Sequence, residues 1–244
     1  MARRGRSCCR FSRRSGWKIP GCRPCAAVSR RSCSVEGAVT RISIFPLPGA
    51  ILYPGLTLPL HIFEPRYCAM VSDSLARDRC IGMIQPRGDE AGTASHPALF
   101  DVGCLGRIGD VEALENGRFN IVLEGVSRFR VERELSVTTL FRQVEATLIE
   151  DVEDRALAPV ERALFEREAR DFARAHGYRV DWEQVSRLDD VSLINGVAQI
   201  APFDIASKQA LLEADDVPTR CALLVQLMQF HIRRDGEDGS ATLQ

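Results

Sequence analysis

Few residues of this 244-residue chain are of a type and spacing that does chemistry. Ser207-Lys208 joins a nucleophile to a base, and a desolvated lysine can take a serine proton. The two are adjacent on a predicted helix, so their side chains point apart, and a capped surface turn accounts for them. His61 and Cys68 flank one motif and would suit a thiolate–imidazole pair, which keeps a hydrolase with an unrecognised site as an alternative. An imidazole on a strand face is the plainer role. Cys22-x-x-Cys25 has the spacing of half a zinc site or of a redox pair. No second pair follows at finger spacing, and a redox pair needs a helix start after a strand. The four histidines, His61, His96, His176 and His231, are not spaced as ligand pairs on one element. Asp89-Glu90 and Asp189-Asp190 suit solvated turns or caps. The phosphate-cradling G-x-x-x-x-G-K-[ST] and the G-x-S-x-G elbow do not occur: the two lysines are Lys18 and Lys208, and Gly125-Val126-Ser127 runs on into Arg128-Phe129. The sequence therefore predicts no catalytic residue, no metal and no cofactor.

What positions these residues starts with charge. The chain carries a net −1, but residues 1–34 hold nine Arg, one Lys and no acid, which leaves −11 on the rest. Residues 1–38 are expected to be a disordered basic Arg/Cys-rich tail, because they lack the apolar period and large apolar residues that bury a core. Their composition suits a transit peptide, a basic arm or upstream translated sequence. Ser12-Arg13-Arg14 resembles a twin-arginine signal, but Arg23 breaks the apolar stretch after it. The body's Cys68, Cys80, Cys104 and Cys221 are expected as buried, reduced, small apolar residues. No apolar run approaches the roughly 20 residues of a membrane span, and the body is expected to be cytoplasmic. Its acidic balance argues against phosphate contacts, so no nucleic acid and no membrane partner are expected for it.

From Val39 to Asp151 the period is two. Ile42 and Ile44 alternate with polar residues; Leu56, Leu58, Leu60 and Ile62 do the same, with Pro59 placing that strand at an edge or bulge. Pro48-Gly49 and Pro54-Gly55 are turn dipeptides, and Pro65 suits the first turn of a helix over 65–77 that buries Tyr67, Met70, Val71, Ser74 and Leu75. CIGMIQ at 80–85, Val102/Cys104, Phe119–Leu123, Phe129/Val131 and Val144–Leu148 are further short strands. Asn116-Gly117 marks a hairpin with a type I′ turn. Many short strands with turn signals and one helix predict a closed barrel. From 152 to 234 the period becomes helical: Val160, Leu164, Phe165, Ala169 and Phe172 form a stripe behind Pro159; Asp190 caps a helix burying Leu193, Ile194, Val197 and Ile200; Asp204 caps another; and Pro218 opens the last, with Cys221, Leu224, Val225, Met228 and Ile232 on one face. Residues 235–244 are expected as a frayed polar tail. The fold class predicted is α+β, a β barrel followed by a helical bundle.

FPLPGAILYPGLTLPLHIFEPRY (45–67), then IGMIQP and DVGCLGRI…ENGRFNIVLEGVSRFRV, resemble the N-terminal substrate-binding domain of Lon proteases. The stretch DWEQVSRLDD…LINGVAQIAPFDIASKQALLEADDVPTRCALLVQLM is similar to stand-alone bacterial Lon-N-domain-like proteins. The likeness covers residues 40–234. It departs at Ser207-Lys208-Gln209, where relatives often have Glu-Lys-Gln. The resemblance implies a PUA-like pseudo-barrel, a proteolysis-related role in protein recognition, and no catalytic residue. The partners it implies are unfolded or apolar protein segments, and a protease that the module feeds or competes with. RNA binding by a PUA-like barrel is the other alternative. The candidate peptide-binding residues are Leu47, Pro48, Tyr53, Phe63, Glu64, Arg66 and Tyr67, around the Pro-Gly loops and the helix start.

Overall fold

The computed structural model of the chain describes residues 39–87, 92–93, 96–149 and 156–240. The Cys22/Cys25 pair, the rest of the basic segment and Asp89-Glu90 lie outside them. In order, the elements are β1 (Val39–Pro46), β2 (Thr57–Ile62), α1 (Pro65–Ala76), β3 (Cys80–Ile84), β4 (Gly92–Thr93), β5 (His96–Pro97), β6 (Val102–Ala113), β7 (Phe119–Glu134), β8 (Gln143–Ile149), α2 (Pro159–Ala175), α3 (Trp182–Val185), α4 (Asp190–Ile200), α5 (Ile205–Glu213) and α6 (Val217–Ser240).

Strand β7 closes the sheet. Its 16 residues are long enough to serve three partners. β6 lies along one side of it; the other side is shared end to end by β2, against Phe119–Glu124, and β8, against Arg128–Glu134. With the β6–β3, β3–β1 and β1–β8 ladders, the order β7-β6-β3-β1-β8 returns to β7 as a ring. This is the predicted barrel, and β2 hangs on it as a flap. The β1–β3 ladder is parallel, because β2 and α1 carry the chain across between them.

Gly125 sits where β2 gives way to β8. Its N–H donates to the Leu56 carbonyl at 2.8 Å, and its own carbonyl accepts from Gly55 N–H at 3.0 Å. A Cβ at this position would lie 2.0 Å from the Tyr53 carbonyl oxygen, so only glycine lets the Pro54-Gly55 turn rest on the strand. Because Leu56 bonds inward to β7, Thr57, Pro59 and His61 direct their backbone groups outward. Pro59 therefore removes a donor from a free edge, and Gln199 Nε2 covers the Thr57 carbonyl at 2.9 Å. In the 115–118 turn, Asn116 and Gly117 both take positive φ, 69° and 72°, as a type I′ turn demands.

Two apolar clusters fill the body. One lies inside the barrel, with Leu52, Ile62, Met70, Ile81, Ile108 and Leu123. The other joins Ile51, Tyr53 and Val102 of the barrel side to Phe165, Phe172, Ile194, Leu211, Leu224 and Met228 of the helices. The helices differ from expectation at several residues. On α2 the buried row is Phe165, Glu168, Ala169, Phe172 and Ala173, while Val160 is 75% exposed and Leu164 is exposed as well. Val160 and Leu164 point about 150° and about 110° away from the centre of that row, at about 100° per residue. Ile200 is 79% exposed, because two residues after the buried Ala198 it points to nearly the opposite side of α4, at about 100° per residue. The cap of α4 is Asp189, whose carboxylate accepts from Ser192 N–H; Asp190 instead accepts from Leu157 N–H and Arg162. α6 runs on to Ser240, past the point where its polar sequence predicts fraying.

Polar seams join barrel and helices. The buried Arg128 of β7 donates to the carbonyls of Leu212, Ala214 and Asp215, at 3.0, 2.7 and 3.1 Å. Arg220 of α6 reaches the same end of α5, donating to Leu211 O and Ala214 O. Guanidinium groups thus satisfy the orphan carbonyls of a helix C-terminus, where the dipole also favours positive charge.

Candidate functional site

A groove of about 940 Å³ runs along the barrel, within the size range of ligand clefts. Three segments build it: the exit of β1 (Phe45–Pro48), the start of α1 (Glu64, Arg66, Tyr67) and the irregular stretch Leu135–Arg142 between β7 and β8. Pro86, His96, Pro97 and Glu134 also line it. The sequence places the first two walls for local reasons. Pro46 and Pro48 end the β1 ladder, and Pro65 opens α1 at once after the extended Glu64, so Arg66 and Tyr67 fall in the first helical turn.

The floor is aromatic. Phe45 and Tyr67 pack as a tilted pair with ring centroids 4.3 Å apart, and both are largely buried. Burial pushes the Tyr67 phenol above its usual range. Arg66 lies over the Tyr67 ring at 4.6 Å and pairs with Glu64 at 2.8 Å. Across the groove Arg142 grips Glu134 through two bonds of 2.7 and 2.6 Å and donates to the Pro97 carbonyl at 2.8 Å. His96 completes this cluster at 3.1 Å from Glu134. The Arg142 hydrogen bonds hold the Glu134 carboxyl below its usual pKa. Leu140 stands 71% exposed on the third wall, and Phe141 beside it turns inward into the barrel core. An aromatic floor between two compensated charge pairs can hold an apolar side chain while a neighbouring chain stays hydrated.

Of the predicted residues, Leu47, Pro48, Glu64, Arg66 and Tyr67 line this groove. Tyr53 does not: it is fully buried under Arg220, whose guanidinium lies 5.3 Å from the ring, and burial pushes its phenol far up. Its position after Leu52 turns it toward the helices, so it belongs to the core. Phe63 is exposed but faces elsewhere, stacked on His61 at 6.0 Å. The Leu135–Arg142 wall, Glu134 and His96 went unpredicted. Leu135, Val137, Leu140 and Phe141 set among Ser and Thr, with the alternation of β7 lost, was the available signal.

The residues with chemical potential are each engaged separately. Ser207 Oγ donates to Asp204, while Lys208 Nζ donates to the Gln199 carbonyl at 3.2 Å, with its pKa lowered by burial. His61 Nδ1 contacts Asn120 Oδ1 at 2.7 Å, and the Cys68 thiol points to the Ile62 carbonyl. Among the described residues, no group of three His, Cys, Asp or Glu is placed to hold a metal, and no helix is long and apolar enough to cross a membrane.

A family model described as "ATP-dependent protease La (LON) substrate-binding domain" matches residues 41–229. Lon protease 2 of Sorangium cellulosum is 28% identical over 217 residues, covering 83% of this chain and 26% of that protein. Lon protease 2 of Myxococcus xanthus is 26% identical over 196 residues, 77% of this chain and 23% of that one. The chain thus spans about a quarter of the length of these relatives. The crystal structure of a Lon N-terminal domain protein from Xanthomonas campestris superposes with a TM-score of 0.59 at 24% identity, covering 77% of this chain and 98% of that one. The N-terminal domain of the Mycobacterium avium complex Lon protease gives 0.58 at 20%, covering 79% and 100%. With its ring of strands, its helical half and a family match over most of its length, this chain belongs to the Lon protease substrate-binding domain family.

Proposed function

We propose that the body is a non-catalytic module that holds exposed apolar segments of other proteins in the groove, in cytoplasmic protein quality control. The observation that carries this reading is the groove itself: an aromatic floor of Phe45 and Tyr67, a projecting Leu140, and charged side chains held in ion pairs. Membership of a substrate-binding family supports it. A bound segment would be passed to a protease or kept from one. Binding by such a groove needs no reacting group, which agrees with the separate engagement of Ser207, Lys208, His61 and Cys68.

The test is fluorescence anisotropy with labelled, reduced and carboxymethylated lactalbumin, a permanently unfolded chain. Leu140→Asp puts a charge on the apolar wall and should weaken binding about tenfold, about 1.4 kcal/mol. Arg66→Glu breaks the rim pair and should weaken it less, because the pair is half-exposed. Absence of binding by the unaltered chain, or indifference to both substitutions, would rule the reading out.

A further inference from the structure

We infer that two buried glutamines, Gln85 and Gln209, are positioning residues that set the lip of the groove from helix α5; this rests on the groove reading above. The lip is the Pro48-Gly49 turn, with Gly49 at φ 74°. Gly49 N–H donates to Gln85 Oε1 at 3.2 Å. Gln85 is 2% exposed, at the end of β3, and its Nε2 donates to Gln209 Oε1 at 3.3 Å and to the Ile205 carbonyl at 3.4 Å. Gln209, equally buried, donates through Nε2 to the Val102 carbonyl at 3.0 Å and to Glu213 Oε1 at 2.7 Å.

An amide has a donor end and an acceptor end, so two in series transmit orientation. The Val102 carbonyl and the Glu213 carboxylate accept only, so the Gln209 NH₂ must face them and its oxygen must face Gln85. That oxygen, with the Ile205 carbonyl, draws the Gln85 NH₂ toward α5 and leaves the Gln85 oxygen for Gly49. Rotating the Gln85 amide by a half turn would set donor against donor at the lip, and rotating the Gln209 amide would set donor against donor at Gln85 and oxygen against oxygen at Val102. The chain of contacts thus runs from α5 to the groove without passing through any lining side chain except the turn itself.

The test uses the full chain with two substitutions. Gln209→Met keeps the shape and removes both ends of the amide. Gln209→Glu keeps an acceptor for Gln85 but loses the donor to Val102, and it crowds Glu213. The Gly49 amide proton is followed by NMR without ligand, and binding of the unfolded lactalbumin probe is followed alongside. In Gln209→Met the Gly49 proton should acquire the steep temperature coefficient of a solvent-bonded amide, and probe affinity should fall about three- to tenfold. In Gln209→Glu the Gly49 proton should stay shallow, although global stability falls at least as far. A Gly49 proton that ignores Gln209→Met, or that follows stability equally in both variants, overturns the inference, as does unchanged affinity with the turn released. If the unaltered chain binds no probe, the groove reading fails, and the Gly49 response alone decides the positioning role.

Discussion

The guanidinium of Arg128 leaves the sheet and ends on three backbone carbonyls at the close of α5. Each bond is charge-assisted and two are buried, so removing the donor strands the Leu212 carbonyl and leaves Ala214 O with Arg220 alone. Arg128→Met should cost about 3 kcal/mol of unfolding free energy, the range for breaking a buried charged contact, measured by urea denaturation. Arg128→Lys should recover less than half, since one ammonium cannot span the fork. A loss below about 1 kcal/mol in the methionine variant would show that the helix end is satisfied otherwise. Nothing in the sequence around Arg128 announces this role, because an Arg in a strand between Ser127 and Phe129 has the pattern of an outward residue. Side-chain roles were legible where they are local, as with Asp204 or Pro65, and illegible where the partner lies far along the chain. Tyr53 shows the same limit. Its neighbours mark an apolar loop, but only the placement of Arg220 decides that the ring is covered.

Elements were easier, because their periods and punctuation are written within a few residues. The strands of period two, the Asn116-Gly117 turn and the Pro65 helix start all stand where local chemistry puts them. The errors fell on helix faces, since a stripe of apolar residues shows that a helix packs but not how much of it the neighbour covers, as Val160 and Ile200 illustrate. Two glycines separate steric from conformational need. At Gly125 an alanine Cβ would strike the Tyr53 backbone, and Gly125→Ala should cost more than about 3 kcal/mol by overpacking. At Gly196, inside α4, nothing lies within 4 Å, and Gly196→Ala should gain about 0.5–1 kcal/mol. Equal melting shifts in the two variants would contradict this. The cap of α5 adds a pH dependence. Asp204 accepts from Ser207 N–H at 2.8 Å, and that backbone bond chiefly holds its carboxyl below the usual range. The unfolded chain therefore takes up the proton first. The stabilisation is complete above the ordinary carboxylate pKa of about 4 and is lost as pH falls through the folded value. Asp204→Ala should cost about 1 kcal/mol at neutral pH and progressively less below pH ~4, read from denaturation midpoints across that range.

At the scale of the molecule, barrel and bundle share a core. Ile51, Tyr53 and Val102 belong to the same apolar cluster as Phe165, Leu211 and Leu224, and the Arg128 and Gln209 contacts cross the same boundary. The change of period near residue 150 suggests two parts, yet the energetics make them one. Separating them would uncover a fully buried tyrosine, a buried arginine with three lost carbonyl partners, and the apolar side of the barrel. A chain ended after Ile149 should therefore bind the apolar dye ANS and melt without a cooperative transition. The whole body should unfold in one step, with far-UV circular dichroism and Trp182 fluorescence coincident. A cooperative melt of the shortened chain, at a temperature near that of the full one, would mean that the barrel carries its own stability. The groove would then be independent of α5. The prediction thus bears on recognition as well as folding: all three groove walls belong to the barrel half, while the amide contacts that set its lip come from the helices. A barrel that stood alone would keep the walls and lose the setting.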